Sequence, residues 1–148
     1  MPTLLIVDDE ANIRSSLQSA LGREGYQVDT AETLAEGRSK LREAYDVVML
    51  DVWLPDGSGL DALAEIRASA PETVVIVMSG HADVQTVTEA INQGAVYKFC
   101  TKPWDNDQLR SDVKEAFAYK LLQDENRRLT ERVNALEANV LESGTRAA

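Results

Sequence analysis

Between Asp46 and Gly59 the chain reads Asp-Val-Val-Met-Leu-Asp-Val-Trp-Leu-Pro-Asp-Gly-Ser-Gly, and no other stretch restricts the possible folds as much. Val47 to Leu50 is an unbroken apolar run. Such a run, without polar alternation, predicts a strand buried on both faces, as in a parallel sheet. It ends on a carboxylate, Asp51, and then Pro55, Gly57 and Gly59 make the chain turn. Asp51 is therefore expected at the carboxyl end of a central strand, the edge at which open α/β sheets bind ligands. On this stretch alone, a turn-capping role for Asp51 is as compatible.

Four other stretches predict strands. Thr3 to Val7 ends in Asp8-Asp9-Glu10, and Thr73 to Met78 ends in Ser79-Gly80. Ala95 to Cys100 ends in Thr101-Lys102-Pro103. Tyr26 to Thr30 alternates, as a strand nearer an edge does. Helical spacing joins Ile13, Leu17 and Leu21, then Leu34 and Leu41 behind a capping box at Thr33–Glu36. It also joins Leu60, Leu63 and Ile66, then Val84, Val87 and Ile91 with Gly94 as the stop. Asp105 and Gln108 predict the start of a last helix, with Trp104 and Leu109 at the positions of a hydrophobic staple. Strands alternating with helices over short connections predict a parallel sheet covered on both faces, with right-handed crossovers.

Charge narrows the functions. The formal net charge is −10, and residues 119–148 are balanced, so all the excess negative charge lies in residues 1–118. That argues against nucleic-acid binding by this segment and suits a site that holds a cation. No apolar run is long enough to span a bilayer and no basic leader precedes the first strand, so neither a membrane segment nor a signal peptide is expected. A single cysteine, Cys100, set among apolar residues, fits a buried inert thiol in a reducing cytoplasm.

In a parallel sheet the strand ends share one edge. Asp8, Asp9, Asp51, Ser79 and Lys102 are then expected to converge there. Clustered carboxylates repel one another, and a hard divalent cation such as Mg²⁺ removes the conflict. A lysine and a hydroxyl beside a metal-bound carboxylate suit a transferring phosphoryl group, with a carboxylate as nucleophile.

These residues, with their surroundings Val7-Asp8-Asp9-Glu10, Asp51-Val-Trp-Leu-Pro55 with Gly59, Met78-Ser79-Gly80-His81 and Gly94-Ala95 before Lys102-Pro103, resemble the receiver domain of two-component response regulators over residues 3 to about 118. The resemblance implies a flavodoxin-like fold with strand order 2-1-3-4-5. It implies Asp51 as phosphoacceptor and Mg²⁺ held by Asp8, Asp9, Asp51 and the backbone carbonyl of Trp53. Lys102 would pair with the phosphoryl group, Ser79 would move to bond it, and Phe99 would turn inward as the switch aromatic. The Lys102–Pro103 bond would be cis. The implied donor is a histidine kinase or phosphotransfer protein. Trp53 is bulky enough to hinder attacking water, while His81 is read as solvated rather than catalytic. The stretch Tyr97 to Asp105 resembles receivers attached to HD-type or EAL-type phosphodiesterases or to hydrogenase-type transcription activators.

Beyond the receiver, residues 119–142 form a heptad pattern free of Pro and Gly. Tyr119, Asn126, Val133 and Val140 fall at a, and Leu122, Leu129 and Leu136 at d. This predicts a parallel two-stranded coiled coil that makes a homodimer, the alternative being a single amphipathic helix folded back on the receiver. The expected organisation is a receiver over 1–118, a dimerisation helix over 119–142, and a frayed end or linker over 143–148. The chain reads as a switch that passes its state to an output domain or partner, not as an enzyme with a separate substrate. Two alternatives are weaker. An aspartyl phosphohydrolase would want a second Asp where Trp53 stands, and an unphosphorylated scaffold would not need the acids together with Lys102.

Overall fold

The structure, a computed structural model, describes residues 2–80, 84–92 and 96–147. In chain order the elements are β1 (Thr3–Val7), α1 (Ala11–Gly22), β2 (Gln27–Ala31), α2 (Leu34–Lys40), β3 (Val47–Asp51), β4 (Trp53–Leu54) and β5 (Gly57–Ser58). They continue with α3 (Gly59–Ser69), β6 (Val74–Ser79), α4 (Val84–Asn92), β7 (Lys98–Thr101) and α5 (Asn106–Ala147). The main sheet is five-stranded, parallel and ordered β2-β1-β3-β6-β7, which is the flavodoxin-like arrangement.

Burial follows the sequence. β3 and β6 are buried at every position, as central strands covered on both faces must be. One core, on the α2–α3 side, gathers Leu5, Val48, Leu50, Val75 and Val77 with Leu34, Leu63 and Ile66. The other gathers Leu4, Ile6, Met49 and Ile76 with Leu17 and Leu21 of α1 and Leu109 and Val113 of α5. Cys100 lies in this second core, where burial pushes its thiol up to about 12. It is an inert thiol at neutral pH.

The caps depart from the expected patterns in detail. Thr33 Oγ accepts from the Glu36 amide, but the Glu36 carboxylate accepts from the Glu32 amide and not from Thr33. Asp105 accepts from the Asp107 amide, whereas Gln108 donates to Asp112 instead of completing a capping box. Asp112 is buried and also takes Lys98, so Gln108 serves the more demanding acceptor. Trp104 and Leu109 do pack into the same core.

Several boundaries shift. Strand β7 runs from Lys98 to Thr101, and Tyr97 before it lies at a bend, its amide bonded to the Val75 carbonyl at 2.8 Å. The second and fourth strands each sit one residue later than expected. A short antiparallel hairpin, β4 with β5, occupies the expected turn after Asp51. The tail is helical through Ala147, and no proline interrupts it. His81, Gly94, Ala95 and the side chains of Val84 and Val87 lie outside the described residues. Among the described residues no helix is long and apolar enough to cross a membrane.

Candidate functional site

The parallel register brings the strand ends to one edge. Val7 pairs with Leu50, Asp51 with Met78, and Ser79 with Thr101. Each functional side chain therefore leaves its strand at nearly the same level. Asp8 is fully buried, and its Oδ1 accepts from the Glu10 amide at 2.8 Å. Asp51 is 6% exposed, and its Oδ1 accepts from the Trp53 amide at 3.3 Å. Lys102 reaches in from the loop after β7 and lies between the two acids. Its Nζ is 3.0 Å from Asp8 Oδ2 and 3.0 Å from Asp51 Oδ2, with Glu10 Oε1 at 3.7 Å.

Electrostatics follow from this geometry. Burial is the main force on Asp51 and raises its pKa; the Lys102 hydrogen bond and charge oppose it, while the Asp8 charge adds to it. Burial works against the Lys102 ammonium, but its hydrogen bonds to Asp8 and Asp51 and their charges outweigh burial and leave its pKa raised. The amine stays protonated at neutral pH.

Asp9 and Glu10 are exposed at the rim. Asp8, Asp9 and Glu10 can bring one carboxylate oxygen each to within 4.8 Å of one another. This all-oxygen set is of the kind that a hard divalent cation takes. Glu10 belongs to the Val7–Glu10 stretch, but nothing in its spacing marks it as a ligand, because its proximity to Asp8 and Lys102 depends on how the chain enters α1. Asp51 stands outside this trio and is joined to Asp8 through Lys102.

The other expected residues lie on β6, on β7 and in the stretches that follow β3 and β7. Ser79 is buried, and its Oγ has no hydrogen-bond partner among the described residues. Phe99 is half-buried against the α2–α3 core. The Lys102–Pro103 bond is cis. The Trp53 side chain is 65% exposed beside the site. Asp56, unforeseen, accepts from the Leu34 and Ala35 amides and ties the hairpin to the first turn of α2.

Gly59 sets how closely α3 approaches Asp51. A Cβ there would lie 2.2 Å from the Asp51 carbonyl oxygen and 3.0 Å from Leu50 Cγ. The Gly59 amide already bonds the Val52 carbonyl at 2.7 Å, so the helix start has little room to retreat. Gly59→Ala is expected to destabilise the fold by about 1–3 kcal/mol, the usual cost of overpacking. Urea unfolding measures it, and an unchanged midpoint would contradict the contact.

The family model for the response regulator receiver domain matches residues 4–114. The chain belongs to this family. It is 38% identical over 142 residues to the alginate biosynthesis transcriptional regulatory protein AlgB of Pseudomonas aeruginosa, covering 95% of this chain and 30% of that protein. It is 34% identical over 128 residues to the hydrogenase transcriptional regulatory protein HoxA of Cupriavidus necator, covering 86% of this chain and 26% of that protein. Among solved structures, the beryllofluoride-activated NtrC4 receiver domain dimer superposes with a TM-score of 0.75 at 42% identity, covering 81% of this chain and 99% of that chain. The chain thus spans less than a third of the length of the curated relatives that it matches.

Proposed function

We propose that Asp51 accepts a phosphoryl group from a phosphohistidine on a histidine kinase or phosphotransfer protein. The chain then passes that state through a dimeric tail to an output. The observation that best supports this reading is the Lys102 ammonium at 3.0 Å from both Asp8 and Asp51, at the carboxyl edge of the sheet. A carboxylate oxygen of Asp51 would attack phosphorus as the bond from phosphorus to the imidazole nitrogen breaks, giving an acyl phosphate and a free imidazole. Lys102 would stay paired with Asp51 and meet a phosphoryl oxygen. The unpartnered Ser79 Oγ would donate to another, drawing its strand end towards Asp51 and letting Phe99 pack further inward. Asp8 and Asp9, with Asp51 and the Trp53 carbonyl, would hold Mg²⁺, and the nearby Glu10 fits the same set. When bound, Mg²⁺ would offset the negative charge gathered on the acids and the phosphoryl oxygens. The names of the relatives support transcription control as the process served, with any DNA contact made outside this acidic segment.

Incubation with Mg²⁺ and acetyl phosphate tests the reading. One acid-stable, base-labile phosphoryl group per chain is expected. Steady turnover of many equivalents would indicate a hydrolase instead, and no labelling would indicate a scaffold. Labelling should require Mg²⁺. Asp9→Ala should raise the Mg²⁺ concentration for half-maximal labelling by about tenfold or more. Undiminished labelling in excess chelator would refute the metal assignment.

A further inference from the structure

Among the described residues, a ring stack and an ion pair join the tail helix to its own receiver beyond the continuity of α5. Tyr119 stacks on Tyr97, with ring centroids 4.6 Å apart and planes at 25°. Two turns later the Arg127 guanidinium pairs with Glu72 at 3.0 Å. Glu72 stands in the turn before β6, and Tyr97 immediately precedes β7. Both contacts therefore lie at the amino edge of the sheet, opposite the site around Asp51.

Tyr119, Gln123 and Arg127 recur at four-residue spacing and share one face of α5. The exposed apolar residues Leu122, Leu129, Val133, Leu136 and Val140 share another, roughly 100° round the helix. Tyr119, read as the first a position, is thus turned to the receiver instead, and the apolar stripe starts at Leu122. An open cleft of about 320 Å³ borders these contacts, lined by Arg67, Tyr97, Tyr119, Gln123 and Arg127 among others. An exposed ion pair and one ring stack beside an open cleft hold weakly, which suits a contact that is made and broken.

We propose that the Tyr97–Tyr119 stack and the Glu72–Arg127 pair form a clasp that transmits the state of β7 into the tail helix. Tyr97 is two residues before Phe99 and five before Lys102 on the same segment. A shift of β7 at the site therefore pulls directly on Tyr119. This coupling rests on the switch reading given above, but the clasp itself does not.

Amide hydrogen exchange on the full chain tests both parts. Tyr97→Ala should speed exchange in residues 119–127 by about tenfold and leave residues 106–116 unchanged. Arg127→Glu should do the same, and adding Glu72→Arg should restore protection, which a loss of helix propensity alone would not do. Protection that is unaltered by either single variant, or not restored by the charge swap, overturns the clasp. For the coupling, the unchanged chain treated with acetyl phosphate and Mg²⁺ should alter exchange in the tail. Tyr97→Ala should label fully at Asp51 and lose that response. A tail that does not respond in the unchanged chain, or still responds in the variant, overturns the coupling. Failure of Asp51 to label at all overturns the switch reading and the coupling with it, while the exchange data without phosphodonor still decide the clasp.

Discussion

Asp51→Asn should abolish labelling by acetyl phosphate, by about a hundredfold or more, and should leave the chain folded and slightly more stable. The first half follows from nucleophilicity. An amide oxygen at the end of β3 cannot form the acyl phosphate, and the other acids are placed differently: Asp8 is sequestered by Lys102 and the Glu10 amide, and Asp9 is at the rim. The second half follows from the raised pKa of Asp51, caused chiefly by burial and increased by Asp8 against the pull of Lys102. An acid with a folded-state pKa above its unfolded value binds its proton more tightly in the folded chain. Its ionisation then costs stability, and the cost grows as pH rises from the unfolded pKa through the folded one. Above the folded-state pKa the parent bears this cost in full and the Asn variant does not. Asn is nearly isosteric, its oxygen can still accept from the Trp53 amide, and Lys102 keeps Asp8. Thermal unfolding should therefore show a higher Tm for the variant at pH 7, with the advantage shrinking towards pH 4. Stoichiometric labelling of the variant elsewhere would refute the assignment. A lower Tm at pH 7 would show that the Lys102 bond outweighs burial.

The sequence was most informative where one physical rule governed a whole segment. The unbroken apolar runs 47–50 and 74–78 had to be strands covered on both faces, and β3 and β6 are buried throughout. Their polar successors, Asp51 and Ser79, had to emerge at the same edge, because parallel register leaves no other place. Strand order was not readable from periodicity; it entered through the receiver motifs. Tertiary contacts settled what remained. Gln108 left its cap for the buried Asp112, and the helix bearing Tyr119 was caught by Tyr97, a partner 22 residues earlier that no local pattern announces. The hairpin β4–β5 is too short to give a periodic signal, and its tie to α2 through Asp56 depends on a contact between distant segments.

The tail should make the protein a parallel dimer even when unphosphorylated. From Asn106 to Ala147, α5 is 42 residues and about 63 Å long. Its receiver-facing residues Leu109, Val113 and Ala116 are buried, whereas Leu129 is 48% exposed, Leu136 56% and Val140 71%. A lone helix leaves this stripe in water. Burying each such side chain is worth about 1.5–3 kcal/mol at most. Leu122, Leu129, Val133, Leu136 and Val140 from both chains can exceed an association cost of about 4–15 kcal/mol. β-branched residues at a with Leu at d favour two parallel strands, and Asn126, exposed in the single chain, fixes register by pairing with its own copy. Arg132 at g reaches Glu137 at e of the partner only when the chains run parallel, a minor further preference. In a Cys100→Ala, Leu129→Cys chain the two new thiols would face each other across a d layer, so oxidation should cross-link the dimer rapidly and almost completely. Leu129→Glu with Leu136→Glu would put charge into two d layers and should weaken association by at least about a hundredfold, as read by analytical ultracentrifugation. Because the receiver's own cores do not include these positions, its unfolding by urea should be little changed apart from the loss of dimer stabilisation. A monomeric parent at micromolar concentration, or a Leu129→Cys chain that does not cross-link, would defeat the claim.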